Sequence, residues 1–282
     1  MSSDAASAAE CFREAAELNR QDPYLRGSQL MLPDYGQLVM TGDMHGHQRN
    51  FDKLQRYCQL ERTAVRHVIL HELIHEDLVG LNDTDMSHQL LLAAAAWKLE
   101  YPEQVHFLQS NHELAQLNGH EITKAGRSVL RDFDGGLSQT YGGDAQTVSD
   151  AIDEFIKSLP AAARTVNRVF LAHSLPDPET FDPSTLAQPL DEQDLSDGGP
   201  IGTLVWSRIN AAEKFEQLAE MLDVDSFIIG HEPQEDGFRL LHDRVIVLAS
   251  DHNHGVFLPF DLKKPCTASD LVKQIRKFVA VP

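Results

Sequence analysis

From Gln37 onward, short apolar runs alternate with longer amphipathic stretches. Residues 37–40 precede a helical pattern over 51–60, residues 67–70 precede one over 86–100, and residues 105–109 precede one over 112–117. Runs of four or five residues rich in Val, Ile, Leu and Phe predict buried strands. Apolar residues at three- and four-residue spacing, without Gly or Pro, predict helices. A strand-then-helix rhythm of this kind predicts an α/β core. Residues 4–20, with Ala, Leu and Phe among Glu and Arg, predict an N-terminal helix packed on that core.

Between about 118 and 165 the rhythm breaks into polar, Gly-containing and helical sequence, including a helical pattern over 148–159. This segment reads as a helical insertion or cap within a single domain spanning 1–282. Residues 168–172 resume the strand pattern. Residues 176–200, rich in Asp, Pro and Gly, predict a long loop, a feature that often serves function in a compact domain. A helix over 211–222, a strand over 226–229, a hairpin pattern through 239–250 and 256–262, and a closing helix over 268–279 complete the chain.

Composition narrows the partners. The 282 residues are 42% hydrophobic and 24% charged, enough apolar sequence for a substantial core. A net charge of -19 opposes a broad nucleic-acid or anionic-membrane surface, because lysines and arginines form no run that offsets it. Cys11, Cys58 and Cys266 are an odd set without CxxC spacing, which points away from disulfides and cysteine-zinc sites and toward a reducing compartment. No secretory leader pattern and no apolar run of membrane-spanning length is present, so a cytoplasmic location is expected.

Candidate chemistry sits at the strand ends. Residues 37–40 lead into Gly42-Asp43-Met44-His45-Gly46, and 67–70 into His71-Glu72. Residues 105–109 lead into Ser110-Asn111-His112-Glu113, 168–172 into His173, and 226–229 into Gly230-His231. Any one of these has an ordinary explanation as a turn, a helix cap or a hydrogen-bonded histidine. Five strands ending in potential metal ligands are another matter, because ligands in open α/β sheets bind beyond the carboxyl ends of the strands. His47 reads as a loop residue beside the first motif, and His252 and His254 as turn residues.

In this order the motifs resemble those of the calcineurin-like metallophosphoesterases, and among them the phosphoprotein phosphatases, which carry GDxHG, GDxxDRG, GNHE, a lone His and GH. The resemblance extends over about residues 37–260. Residues 42–46 match the first motif, Asn111-His112-Glu113 the third apart from Ser110 in place of Gly, and Gly230-His231 the last. Leu204-Val205-Trp206-Ser207 is similar to a Leu-Trp-Ser segment of the phosphatases. The second motif departs: His71-Glu72-Leu73-Ile74-His75-Glu76-Asp77 places Glu72 at the bridging aspartate, His75 at the carboxylate that supports the catalytic histidine, and Glu76 at a phosphate-binding arginine.

The resemblance implies a two-sheet sandwich flanked by helices and hydrolysis of a phosphate ester, on a small molecule or a phosphoprotein, by a hydroxide activated between two metal ions. One ion would be held by Asp43, His45 and Glu72, the other by Glu72, Asn111, His173 and His231. Mixed nitrogen and oxygen donors suit Mn, Fe or Zn. His112 would be the general acid, and Arg208, just after the Trp-Ser segment, a replacement phosphate contact.

Two other readings compete. His71-Glu72-Leu73-Ile74-His75 is literally HExxH, which on a helix places two histidines on one face for zinc and supplies a glutamate base for peptide hydrolysis. Downstream, Glu100 and Glu103 are the candidates for its third ligand, and the motif directly follows a strand pattern. A non-catalytic relative that uses the fold as a binding surface is the third possibility, since fold alone does not carry activity.

Overall fold

The computed structural model of the protein describes residues 4–77 and 84–282. In chain order its strands are β1 (Leu25–Arg26), β2 (Gln29–Met31), β3 (Gln37–Thr41), β4 (Arg66–Leu70), β5 (Val105–Phe107), β6 (Thr123–Lys124), β7 (Arg127–Ser128), β8 (Ala162–Arg164), β9 (Val169–Ala172), β10 (Ser226–Ile229), β11 (Phe238–Leu241), β12 (Val245–Leu248), β13 (Val256–Asp261) and β14 (Arg276–Lys277). Its helices are α1 (Ala5–Arg20), α2 (Gln48–Cys58), α3 (Ser87–Glu100), α4 (Asn111–Asn118), α5 (Val129–Tyr141), α6 (Ala145–Ile156), α7 (Pro200–Trp206), α8 (Ala212–Leu222) and α9 (Ala268–Val272).

Two sheets face one another. One has the order β1-β2-β8-β9-β10-β12-β11, the other β14-β13-β3-β4-β5. Strand side chains alternate between faces, so each central strand feeds two cores. Met40, Ile69, Leu171, Ile228, Ile246 and Leu258 point into the space between the sheets. Val39, Val68 and Phe107 turn outward onto α1, α2, α3 and α6, while Phe170, Phe227 and Val245 turn outward onto α7 and α8. Burial on both faces explains why these strands read as continuous apolar runs rather than alternating ones. Strands β3, β4 and β5 run parallel, as do β9, β10 and β12. Among the described residues, no helix is long and apolar enough to cross a membrane.

The C-terminal segment corrects the expected pattern. Only Ala268–Val272 of the predicted closing helix is α-helical, started by a capping box between Thr267 and Asp270. Arg276–Lys277 instead pairs antiparallel with Val256 and Phe257, covering an otherwise open sheet edge. Residues 256–262 likewise leave the hairpin pattern: β11 and β12 form the hairpin, whereas β13 crosses to the other sheet and pairs with β3.

A buried ionic knot joins α1 to this framework. Asp22 Oδ2 accepts hydrogen bonds from Lys98 Nζ of α3 and His106 Nδ1 of β5, both at 2.9 Å. With its Nδ1 proton committed to Asp22, His106 accepts at Nε2 from His67 Nδ1 (3.1 Å). Burial alone would raise the Asp22 pKa, but the hydrogen bond and charge of His106 and the Lys98 ammonium hold it well below the usual carboxylate range. Because the folded pKa is depressed, this contribution to stability is present above the unfolded pKa of about 4 and is lost as pH falls below it. Lys98 is fully buried, so Asp22→Asn strands a charge and is expected to cost about 3–5 kcal/mol. Urea titration will show this as a lower midpoint with unchanged slope, and the variant will lose less further stability than wild type on acidification.

Candidate metal centre

The ends of five strands, three parallel in one sheet and two parallel in the other, lead to one site. Strand β3 delivers Asp43 and His45, β4 delivers His71 and Glu72, and the turn after β5 opens α4 with Asn111, His112 and Glu113. Strand β9 delivers His173 and β10 delivers His231. Asp43, His45, Glu72, Asn111, His112 and His231 line a cavity of about 510 Å³, with Arg208 also on its wall. His173 is fully buried; its Nε2 lies 3.4 Å from Glu72 Oε1.

Local backbone geometry makes this convergence possible. Met44 N and His45 N both donate to Glu72 O at 2.9 Å, and Gly46 N donates to Leu73 O at 2.9 Å, stitching the first motif to the second. Glu113 binds the same segment from below: its Oε1 accepts from Leu73 N at 2.7 Å while Ser110 Oγ donates to its other oxygen. His231 N donates to Asp43 Oδ1 (3.0 Å) and Oδ2 (2.8 Å). Any Cβ at position 230 would sit 2.1 Å from Asp43 Oδ1, so only glycine lets that backbone approach the carboxylate.

His45, Glu72, His75 and His231 have φ values of 39°, 48°, 64° and 68°, a left-handed conformation that non-glycine residues adopt at a cost of about 1–3 kcal/mol each. Strain gathered at one cavity marks it as a place where side-chain aim outweighs local stability.

The segment 71–77 is irregular, not helical. The face that HExxH requires is therefore absent, and the two histidines take separate tasks. His71 Nε2 donates to Thr41 O (3.0 Å), which leaves its Nδ1 to accept from His173 Nδ1, also at 3.0 Å. His75 Nε2 donates to Gln116 Oε1 (2.9 Å), which leaves its Nδ1 to accept from His112 Nδ1 (2.8 Å). Each divergent histidine thus fixes the tautomer of a second histidine, His173 or His112.

Those tautomers turn lone pairs toward a common point. His173, having spent its proton on His71, presents an unprotonated Nε2 at 2.6 Å from Asn111 Oδ1 and 3.4 Å from Glu72 Oε1. Asn111 Oδ1 lies 3.1 Å from His231 Nδ1, and His231 Nε2 lies 3.2 Å from Arg208 Nε. Glu72 Oε1 is buried and has no hydrogen-bond donor. Its other oxygen lies 3.4 Å from His45 Nε2, and His112 Nε2 lies 3.9 Å from Oε1. Facing lone pairs around an orphaned carboxylate oxygen fit a cation.

The electrostatics agree with this donor geometry. Burial, reinforced by the charges of Asp251 and Glu113, pushes Asp43 up to about 7. Burial and the charge of Asp43 raise Glu72 well above the usual carboxylate range. Burial also lowers the imidazoles, with His45 at about 3 and His71, His75 and His231 at about 4. His112 and His173 are lowered well below 6.5, again mainly by burial. Neutral imidazoles beside crowded carboxylates are the protonation state in which nitrogen donors are free for a metal. Among the described residues, geometry groups the possible ligands in two separate sets, Asp43, His71 and His173 in one and His45, Glu72 and His112 in the other. His71, with both ring nitrogens committed, is a neighbour of the donors, whereas His112, with Nδ1 on His75, keeps Nε2 free 3.9 Å from Glu72 Oε1.

Other candidates fall outside the donor group. His47 Nδ1 caps α2 by accepting from Asn50 N (3.2 Å). His252 Nε2 donates to Gln234 O (2.9 Å) and its Nδ1 accepts from His254 N (3.1 Å). Sequence reasoning passed over Asp251 and Lys124, which line the cavity. The DHNH segment drew attention to its histidines, while the carboxylate beside them reaches the site with one buried oxygen lacking a hydrogen bond.

No protein-family sequence model matches the chain. Solved structures do match. A protein serine/threonine phosphatase from Saccharomyces cerevisiae, described as similar to human phosphatase PP5, superposes with a TM-score of 0.66 at 16% identity, covering 90% of this chain and 82% of that one. A cold-active protein-tyrosine phosphatase of a psychrophilic Shewanella superposes with a TM-score of 0.56 at 13% identity, covering 88% and 80%. Agreement over nearly the whole length at such low identity is agreement of backbone: the chain has the α/β calcineurin-like phosphoesterase fold, two sheets packed face to face and flanked by helices.

Proposed function

We propose that the protein is a metal-dependent phosphoesterase in which Asp43, His45 and Glu72 hold one ion and Glu72, Asn111, His173 and His231 hold a second. The observation that supports this reading is the orphaned Oε1 of Glu72: this buried carboxylate oxygen faces His173 Nε2, with His45 Nε2 beside the other oxygen, an arrangement that would suit a shared ligand. When bound, such ions supply Lewis acidity toward phosphoryl oxygens and lower the pKa of a coordinated water.

The remaining work belongs to side chains. The His231 backbone amide orients Asp43, and His71 keeps His173 in the tautomer that exposes Nε2. Hydrolysis adds water to phosphorus and breaks the bond to the leaving oxygen, which must receive a proton; His112 Nε2 faces the cavity and is the proposed donor. Behind it, His75 replaces a carboxylate and hands the orienting hydrogen bond to Gln116, whose Nε2 donates to Asp134 Oδ1 (3.1 Å).

Elemental analysis of protein purified without chelator is expected to find close to two Mn, Fe or Zn ions per chain, and metal-loaded protein to turn over phosphate esters. Asp43→Ala should lose at least one ion, because both carboxylate oxygens anchor the first motif to the site. A single zinc that survives Asp43→Ala but disappears in His75→Ala would overturn the reading in favour of a peptidase.

A further inference from the structure

The proposed phosphoesterase has an electrostatic gap. Glu76 stands where the resembling phosphatases place a phosphate-binding arginine, and it lines the cavity together with Asp77, Asp132 and Asp251. A phosphate ester entering past these carboxylates is repelled unless a cation of the protein meets it.

Three basic side chains line the cavity: Lys124, Arg127 and Arg208. Arg127 is clamped in a fork by Asp132, Nε to Oδ2 and Nη2 to Oδ1, both at 2.9 Å. Arg208 has its Nε committed to His231, and its terminal nitrogens remain a second candidate phosphate contact. Lys124 is held differently. Its ammonium donates to Asp77 Oδ1 at 2.9 Å, and the two side chains are 33% and 67% exposed. Ion pairs this wet are weak and exchange readily. An ammonium also has three protons, so one carboxylate contact does not exhaust it.

The position of Lys124 is nevertheless well defined. Lys124 and Arg127 pair across the β6–β7 hairpin. Their link, Ala125-Gly126, has positive φ at both residues (50° and 81°), the requirement of the tight turn that matches strand twist. This hairpin lies inside the segment that interrupts the α/β rhythm, so the cation reaches the cavity from an element outside the five strand ends.

We propose that Lys124 binds the substrate phosphate in place of the arginine lost at Glu76, and that Asp77 holds the ammonium at the rim until phosphate displaces it. The assignment rests on the phosphoesterase reading. Its ligand class is a phosphate monoester dianion and, after turnover, inorganic phosphate. The competing explanation is that the Lys124–Asp77 pair only pins the hairpin, and the two differ in what Asp77 does.

The test uses the whole chain loaded with manganese and reads kcat and KM for p-nitrophenyl phosphate, inhibition by orthophosphate, and orthophosphate binding by calorimetry. Lys124→Met keeps the aliphatic stem and is expected to weaken orthophosphate binding and raise KM about 10–100-fold, the range for losing a charged hydrogen bond, with a smaller fall in kcat. Lys124→Arg should restore most of the binding. Asp77→Asn releases the ammonium and should leave orthophosphate binding unchanged or tighter. Unaltered orthophosphate binding in Lys124→Met, or an equal loss in Asp77→Asn, overturns the assignment while the phosphoesterase reading stands. Failure of wild type to hydrolyse any phosphate ester overturns both.

Discussion

Glu72→Gln is expected to empty the metal centre and abolish turnover together. The amide preserves the shape of the side chain and removes its charge. Two cations sharing one ligand need an anion between them, since a neutral amide cannot offset their mutual repulsion. The loss of metal affinity should exceed the about 10–100-fold seen when an outer partner of a ligand is removed. Glu72→Asp should be milder, because it keeps the charge and is the residue found at this place in the resembling phosphatases.

Stability separates this effect from simple misfolding. Without metal, burial and Asp43 raise the pKa of Glu72 well above its unfolded value. A carboxyl with a raised folded pKa binds protons more tightly when folded, so the metal-free protein loses stability as pH climbs from the unfolded pKa of about 4 through the folded one. Glu72→Gln removes that penalty. In chelator the variant should therefore melt at or above the wild-type temperature, with a flatter dependence on pH, whereas metal should stabilise wild type alone. Unchanged metal content and turnover in Glu72→Gln would remove Glu72 from the ligand set, and a less stable chelated variant would mean that its role is structural.

The same residues show how far a sequence can be read. The runs at 37–40, 67–70, 105–109, 168–172 and 226–229 correspond to β3, β4, β5, β9 and β10, because burial on both faces leaves an unmistakable apolar signature. Their convergence at one cavity follows from topology rather than from any single motif. What stayed hidden depends on distant partners. His71 and His75 form a helical zinc motif on paper, but hydrogen bonds from Met44 and His45 to Glu72 O hold the segment open. The roles of both histidines are then set by Thr41 and Gln116, residues 30 and 41 positions away. Lys124 carried no local signal beyond a short hairpin turn. The closing helix failed for a related reason: its helical periodicity lost to an unpaired edge of β13 that only the fold creates.

His112→Asn is expected to reduce kcat by about 10²–10⁴-fold, the usual contribution of a general acid, while leaving metal content intact. His112 adjoins the proposed ligand Asn111 at the start of α4, yet its Nδ1 is committed to His75 and its Nε2 faces the cavity. A proton carried at Nε2 matters only in proportion to the basicity of the leaving oxygen. A simple alkyl phosphate, which must expel a strongly basic alkoxide, should show most of the loss, whereas p-nitrophenyl phosphate should lose little because its phenolate departs unaided. The acid form is also scarce. Burial, followed by the positive charge that His45 and His75 would bring if protonated, holds the imidazole pKa well below 6.5, and the group on its Nδ1 is His75 rather than a carboxylate. The rate on the alkyl phosphate should therefore rise as pH falls toward the range in which His112 is protonated, until metal loss intervenes, and this rising limb should vanish in His112→Asn. Gln116→Leu, which breaks the hydrogen bond that fixes the His75 tautomer, should lower the alkyl phosphate rate in the same direction with metals retained. Equal defects with both leaving groups, or loss of metal in His112→Asn, would mean that His112 acts as a ligand or a structural residue and that the proton comes from elsewhere.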